Sequence, residues 1–227
     1  MLADVKESDQ VSYDLCIFDL DGTLTDPGLG IAKSYMHTLP QFDIHEELDD
    51  LARFIGPPLR SVFKDVYGFS DSDTEKAVAM YREYYSTKGL LENIMYPGIP
   101  ELLQYLLDNE KILAVATNKA GLYTIEILQH FKLERYFTFV SADELDGSLT
   151  RNGKRDIIQT VLDTIDPERK MSAAMIGDRK LDIHGAREVG IHSIGVMWGY
   201  GSREELSDAG ATHIANTPDE LRRLLVG

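Results

Sequence analysis

Asp19 and Asp21 close an apolar run in the segment Leu15-Cys16-Ile17-Phe18-Asp19-Leu20-Asp21-Gly22-Thr23. In an extended chain, residues i and i+2 share a face, so the two carboxylates look the same way from about 6.6 Å apart. At an effective dielectric of about 20 their repulsion is roughly 2.5 kcal/mol. A fold relieves it by setting a cation against one carboxylate or by protonating it. Both outcomes are catalytic devices. Two further apolar runs end in polar groups in the same manner: Ala116 runs into Thr117 and Asn118, and Ile176-Gly177 into Asp178, with Asp182 four residues on. Lys154 opens a segment of helical spacing. Asp19, Asp21, Asp178 and Asp182 make a negative cluster that suits a hard, oxygen-seeking cation such as Mg²⁺. Lys154 is its positive counterweight, and Thr117, Asn118 and the N–H groups of the following helix start are suited to an anion.

Each feature alone has a plainer reading. Asp19-Leu20-Asp21-Gly22 fits a strand end and turn, and Lys154 fits a solvated lysine. Their conjunction in chain order, at strand ends and a helix start, is what points to one site. Other sites are disfavoured. An EF-hand loop would need a third ligand position and a distal Glu. Gly28-Leu29-Gly30 lacks the third glycine of a dinucleotide fingerprint, no P-loop occurs, and the six histidines form no H-E-x-x-H pair. His184 reads as a surface or capping residue, and Trp198 and Tyr200 as packing or loop residues.

Positioning these groups takes a sheet. Four strand-length apolar runs, Leu15 to Phe18, Ile112 to Ala116, Ala173 to Ile176 and Ser193 to Met197, alternate with segments of helical spacing. One of these carries the stripe Ile157, Ile158, Val161, Leu162 and Ile165. The pattern predicts a parallel α/β sheet whose ligands sit beyond the carboxyl ends of its strands. Ser202 with Glu205, and Thr217 with Pro218 and Glu220, predict helix starts on either side of a last strand at His213 and Ile214. Between Asp26 and Pro97 no comparable strand occurs. The segments Ile31 to Leu39, His45 to Phe54, Leu59 to Tyr67 and Asp73 to Lys88 read as amphipathic helices, and Tyr96-Pro97-Gly98 as the exit turn. The expected organisation is therefore an α/β core over 1–26 and 95–227 and a helical insert over 27–94.

Composition narrows the partners. With 227 residues, 43% of them hydrophobic, the chain can bury a full core. Its 23 Lys+Arg against 38 Asp+Glu give a net charge of -15, which repels nucleic-acid polymers and anionic membranes. A single cysteine, Cys16, lies within the first apolar run, so it reads as a core residue and fits a reducing compartment. Met1 to Gln10 is polar, and no long apolar stretch follows. The expectation is a cytoplasmic protein, a monomer or homodimer, acting on a small molecule.

In these residues the chain resembles the haloacid dehalogenase superfamily of phosphohydrolases. Asp19-Leu20-Asp21-Gly22-Thr23 resembles its first motif, Thr117-Asn118 its second, Arg151-Asn152-Gly153-Lys154-Arg155 its third and Gly177-Asp178-Arg179-Lys180-Leu181-Asp182 its fourth. The insert is similar to the family's C1 cap, and the whole to the phosphoglycolate phosphatase and 5'-nucleotidase branch. The resemblance implies a Rossmann-like parallel sheet with a helical cap and a Mg²⁺-dependent phosphomonoesterase working through an aspartyl-phosphate. Nucleoside 5'-monophosphates or phosphoglycolate-like compounds are the implied substrates. Asp19 would be the nucleophile, and Asp21 the general acid and then base, its pKa raised by its neighbour's charge. Thr117, Asn118 and Lys154 would hold the phosphoryl group. The Asp19 carboxylate, the Asp21 carbonyl and Asp178 would hold the metal, with Asp182 a further ligand or an orienting group. Arg60, after the Gly56-Pro57-Pro58 turn, is the residue expected to read the leaving group, with Lys33 and Tyr35 next in line. A phosphosugar mutase, a dehalogenase and a non-catalytic phosphate sensor are the alternatives. Thr23 speaks against the mutase, whose branch favours Val or Ile there.

Overall fold

The four residues of the first apolar run, Leu15–Phe18, are wholly buried and form strand β1 of a six-stranded sheet. The structure is a computed structural model that describes residues 12–145 and 153–227. The sheet order is β5-β4-β1-β6-β7-β8 and every pairing is parallel. Its other strands are β4 (Ile112–Ala120), β5 (Phe139–Asp143), β6 (Ala173–Gly177), β7 (His192–Val196) and β8 (His213–Ala215). A parallel sheet is covered on both faces, and the side-chain alternation divides the core accordingly. Cys16, Phe18, Leu113, Val115 and Ile176 face one cluster; Leu15, Ile17, Ala114 and Met175 face the other.

Helices α4 (Ile99–Asp108), α5 (Gly121–His130) and α9 (Pro218–Val226) supply the first cluster, through Leu103, Leu106, Leu128 and Leu225. Helix α6 (Arg155–Ile165) covers the second with the stripe Ile157, Ile158, Val161 and Leu162. Burying each such side chain contributes about 1.5–3 kcal/mol before entropy is counted. Helix α7 (Lys180–Val189) packs beside it, and α8 (Arg203–Asp208) lies against the far strands. Both capping signals are realised: Ser202 accepts from the Glu205 N–H at 3.0 Å and Thr217 from that of Glu220 at 3.2 Å.

Three strands escaped the sequence reading. β5 is an edge strand whose Phe139 and Val140 are only partly buried, so its apolar pattern is weak. The other two, β2 (Thr25–Asp26) and β3 (Ile94–Met95), pair antiparallel into a ribbon at the two ends of the helical stretch. Two residues carry no period. Within the stretch, α1 (Gly28–Thr38) and α3 (Asp71–Tyr84) are α-helical. The segment expected as a helix over His45 to Phe54 is a 3₁₀ turn over Leu48–Phe54, with Asp49 and Asp50, which favour caps over helix interiors, in its first turn. The segment expected over Leu59 to Tyr67 is a short α2 (Leu59–Ser61) that widens into a π-turn at Val62–Val66. A second π-turn, Tyr85–Gly89, extends α3. Each π-turn carries a buried aromatic, Phe63 and Tyr85, and Tyr35 stands 5.6 Å from Phe63 and 5.0 Å from Tyr81 at the centre of the aromatic packing. Among the described residues no helix is long and apolar enough to cross a membrane. Met1 to Gln10, and Arg151 and Asn152 of the third motif, lie outside the described residues.

Candidate active site

The C-terminal ends of β1, β4 and β6 meet at one edge of the sheet, where backbone N–H groups and helix starts leave room for a ligand. Asp19 follows β1. Its Oδ1 accepts from the Leu20 N–H at 2.7 Å and from Lys154 Nζ at 2.8 Å. Lys154 is the residue that caps α6, and its ammonium also bonds Asp182, in the first turn of α7. Asp182 in turn accepts from the Arg179 N–H at 3.0 Å. Asp178 follows β6; it accepts from the Tyr200 N–H at 2.7 Å and lies 3.5 Å from Thr23 Oγ1.

Oxygens of Asp19, Asp178 and Asp182 all lie within 4.8 Å of one another, and all three residues are buried. Burial pushes the Asp178 carboxyl well above the usual carboxylate range, and the charges of Asp182 and Asp19 push it further. Asp182 is pushed up to about 6 by burial, against the pull of Lys154. Burial disfavours the Lys154 charge, but Asp182 and Asp19 outweigh it and hold the ammonium above its ordinary value. Among the described residues Asp178 forms no ion pair. Three converging carboxylates with one cation between them are a donor set that fits a hard divalent ion. Two motif glycines make the cluster possible. Gly22 has φ 81°, and a Cβ there would come 2.3 Å from Asp178 Oδ2; one on Gly177 would come 2.1 Å from Asp182 Cγ. Any side chain would expel the carboxylate.

Asp21 faces elsewhere. Its Oδ2 pairs with Lys119 Nζ at 2.7 Å, while Oδ1 is buried and has no partner among the described residues. Its pKa is raised, as expected, but the leading cause is burial; the Asp19 charge ranks behind it, and Lys119 pulls the other way. Both aspartates line a cavity of about 120 Å³ together with Thr117, Asn118, Lys119, Tyr35, Arg60 and Arg82. Thr117 is buried and its Oγ1 accepts from the Lys119 N–H at 3.3 Å. Asn118 donates to the Gly56 carbonyl at 3.3 Å. The structure thus brings Asp19, Asp21, Thr117, Asn118 and Arg60 to one cavity, and Lys154, Asp178 and Asp182 together beside Asp19.

Arg60 is fixed by Glu75 at 2.8 and 2.9 Å and by the Leu145 carbonyl at 3.0 Å. Lys33 pairs with Glu92 at 2.5 Å and does not line the cavity, whereas Tyr35 does. Sequence reasoning missed Lys119, although it directly follows Thr117-Asn118. Two further roles were missed. Trp198 donates to the Thr23 carbonyl at 3.0 Å and the Tyr200 N–H holds Asp178, so this loop steadies the first and fourth motifs. Arg179 donates to the Ile55 carbonyl at 2.5 Å and bonds Glu205 at 3.0 Å, tying the fourth motif to the helical stretch.

The family model described as haloacid dehalogenase-like hydrolase matches residues 16–196. A 5'-nucleotidase from Pseudomonas aeruginosa is 42% identical over 94% of this chain and 96% of its own. The tyrosine-protein kinase PtkA of Mycobacterium tuberculosis is 38% identical over 94% of this chain and 73% of its own. The crystal structure of a predicted phosphatase from Clostridium acetobutylicum superposes with a TM-score of 0.88 at 42% identity, covering 94% of this chain and 98% of that one. On these matches the chain belongs to the haloacid dehalogenase-like hydrolases, as a phosphatase.

Proposed function

We propose that the protein hydrolyses a small phosphomonoester in two steps, with Asp19 as nucleophile and Asp21 as the proton-transfer group. The observation that carries this reading is the unequal provision for the two carboxylates. Asp19 is held by a buried lysine beside two more acids, whereas Asp21, which lines the same cavity, keeps one buried oxygen without a partner among the described residues. Asp19 attacks phosphorus in line and forms an aspartyl-phosphate while Asp21 gives its proton to the leaving oxygen. Asp21 then takes a proton from the water that attacks the phosphoenzyme. Thr117, Asn118 and Lys154 bind the phosphoryl oxygens and stabilise charge as it builds. The carboxylates of Asp19 and Asp178 and the Asp21 carbonyl would hold Mg²⁺, with Asp182 orienting Lys154 beside them; when bound, the ion neutralises the phosphoryl oxygens and aligns them.

The helical stretch over 27–94 acts in this reading as a cap that covers the site and excludes water. Arg60 belongs to it and reads the leaving group, with nucleoside 5'-monophosphates or phosphoglycolate-like compounds as substrates. The name of the Pseudomonas relative favours the nucleotide. The kinase relative has length that this chain does not match, and transfer to tyrosine would need an acceptor in place of water. The test is a panel of phosphomonoesters assayed with MgCl₂ or EDTA, with acid-quenched enzyme digested for mass spectrometry. Release of phosphate that EDTA abolishes, and a phosphoryl group on the Asp19 peptide, are expected. Phosphate release that survives EDTA sinks the metal assignment; a phosphoryl group on another residue sinks the nucleophile; a bisphosphate requirement identifies a mutase.

A further inference from the structure

One buried cation of the cavity has no task in that scheme. Lys119 is the last residue but one of β4, two residues beyond Thr117, and its side chain is 7% exposed. Its ammonium meets two acceptors from different parts of the chain: Asp21 Oδ2 at 2.7 Å and the Tyr85 hydroxyl at 2.7 Å. It also lies 4.8 Å from the centroid of the Tyr85 ring. Tyr85 begins the π-turn that extends α3 of the helical stretch, and it is buried. An ammonium is a set of donors with no acceptor, so partners on two sides fix where it sits. Asp21 is thereby held by one oxygen. Its other oxygen, Oδ1, is buried without a partner among the described residues, on a residue that lines the cavity with Asp19. Leaving a buried acceptor bare is costly, and such a group in a site waits for a partner that arrives with the substrate.

We infer that Lys119 is a positioning residue for Asp21: by holding Oδ2 it turns Oδ1 toward the leaving-group oxygen, and through Tyr85 it makes that orientation depend on the helical stretch being seated on the sheet. The inference rests on the reading of Asp21 as the acid. In the first step a lone pair of Asp19 forms the new bond to phosphorus. The bond from phosphorus to the leaving oxygen breaks, its electron pair goes to that oxygen, and the proton on Asp21 Oδ1 follows. Lys119 keeps all its protons. The negative charge that the transfer leaves on Asp21 develops beside the ammonium already in place, so its stabilisation requires no rearrangement at the moment of reaction. When the stretch lifts, Tyr85 leaves and the ammonium loses one of its two fixed points. Proton transfer is then confined to the seated state, where water is excluded.

Alkyl leaving groups need the proton and aryl ones need it far less, which separates this role from a structural one. Single-turnover rates on glycerol 2-phosphate and on 4-nitrophenyl phosphate are to be measured for the wild type, Asp21→Asn, Lys119→Met, the double variant and Tyr85→Phe. Lys119→Met should slow the alkyl substrate roughly 100-fold and the aryl one less than about 5-fold. In the Asp21→Asn background it should cost nothing further, because residues acting as a unit are not additive. Tyr85→Phe keeps the ring and removes the hydroxyl, so its alkyl-selective loss should be smaller, roughly 5-fold. Equal losses on the two substrates in Lys119→Met, or losses that add to those of Asp21→Asn, overturn the inference while leaving the acid in place. Equal losses in Asp21→Asn itself overturn the acid reading and the inference with it. Should Lys119→Met not fold, Tyr85→Phe decides: without an alkyl-selective loss the inference fails.

Discussion

Lys154→Met tests the electrostatic logic of the site without any assumption about substrate. Methionine keeps most of the lysine's apolar stem and removes the ammonium, with its charge and its hydrogen bonds to Asp19 and Asp182. Lys154 is 1% exposed, and its partners Asp19 and Asp182 are 8% and 1% exposed, so no solvent can take its place. With oxygens within 4.8 Å of each other, the two carboxylates would repel by about 3.5 kcal/mol at an effective dielectric of about 20. Breaking a buried pair by deleting one partner costs about 3–5 kcal/mol in general, which agrees. For a chain of this size each kcal/mol moves the melting temperature by about 2–4 °C. In EDTA the variant should therefore melt roughly 6–20 °C below the wild type. MgCl₂ should raise the variant's melting temperature more than the wild type's, because a divalent ion would meet a more negative cluster there and bind the folded state more tightly. Thermal and urea melts with EDTA or MgCl₂ measure both quantities. A metal-free variant within about 1 kcal/mol of wild type, or a Mg²⁺ shift no larger than the wild type's, would refute the reasoning.

Asp19→Asn should abolish turnover and leave the melting temperature equal or higher, since it removes one charge from the acidic cluster while Asp182 still holds Lys154; turnover by the purified variant would sink the nucleophile. Arg60→Ala should lower kcat/KM on the best natural substrate by roughly tenfold, about 1.4 kcal/mol, with little effect on a small aryl phosphate; an unchanged substrate ranking would return Arg60 to a purely structural pairing with Glu75. Burial, with Asp14 adding and Lys111 opposing, pushes the Cys16 thiol up to about 12. The folded protein should resist iodoacetamide at pH 8 and react once unfolded in urea, and alkylation of the folded state would contradict the burial. The sign follows: the unfolded chain loses this proton first, above about pH 8.5, so the stability it represents is whole below that pH and lost as pH climbs toward about 12.

The groups that sequence alone brought together were those sitting where a strong local pattern stops. Asp19, Thr117 and Asp178 each end an apolar run, and a run that stops at a carboxylate or hydroxyl is visible without coordinates. The strand limits followed for the same reason, to within a residue or two for β1, β6 and β7 and at the start of β4, which runs on to Ala120. What stayed hidden depends on contacts between distant segments. Nothing local to Lys119 says that Tyr85 will reach it from 34 positions away, and Tyr200 holds Asp178 through its backbone N–H, which any residue would supply. β5 was lost because an edge strand, half in solvent, needs no continuous apolar run. The cause of the raised Asp21 pKa was misjudged because burial, the largest contribution, is a property of the assembled cavity.

The ribbon of β2 and β3 has a further consequence. Thr25 faces Met95 and Asp26 faces Ile94, so the chain leaves the sheet and returns to it at hydrogen-bonded neighbours. The gap that any intervening segment must close is set by that ribbon, whatever the segment's length or content. Loop-closure entropy grows only with the logarithm of length, so lengthening, shortening or exchanging what lies between Asp26 and Ile94 makes almost no demand on the register of the six strands. The same geometry makes the helical stretch a replaceable part: if it acts as the proposed cap, a different segment at this junction would change what the site admits without moving the residues proposed to handle phosphorus.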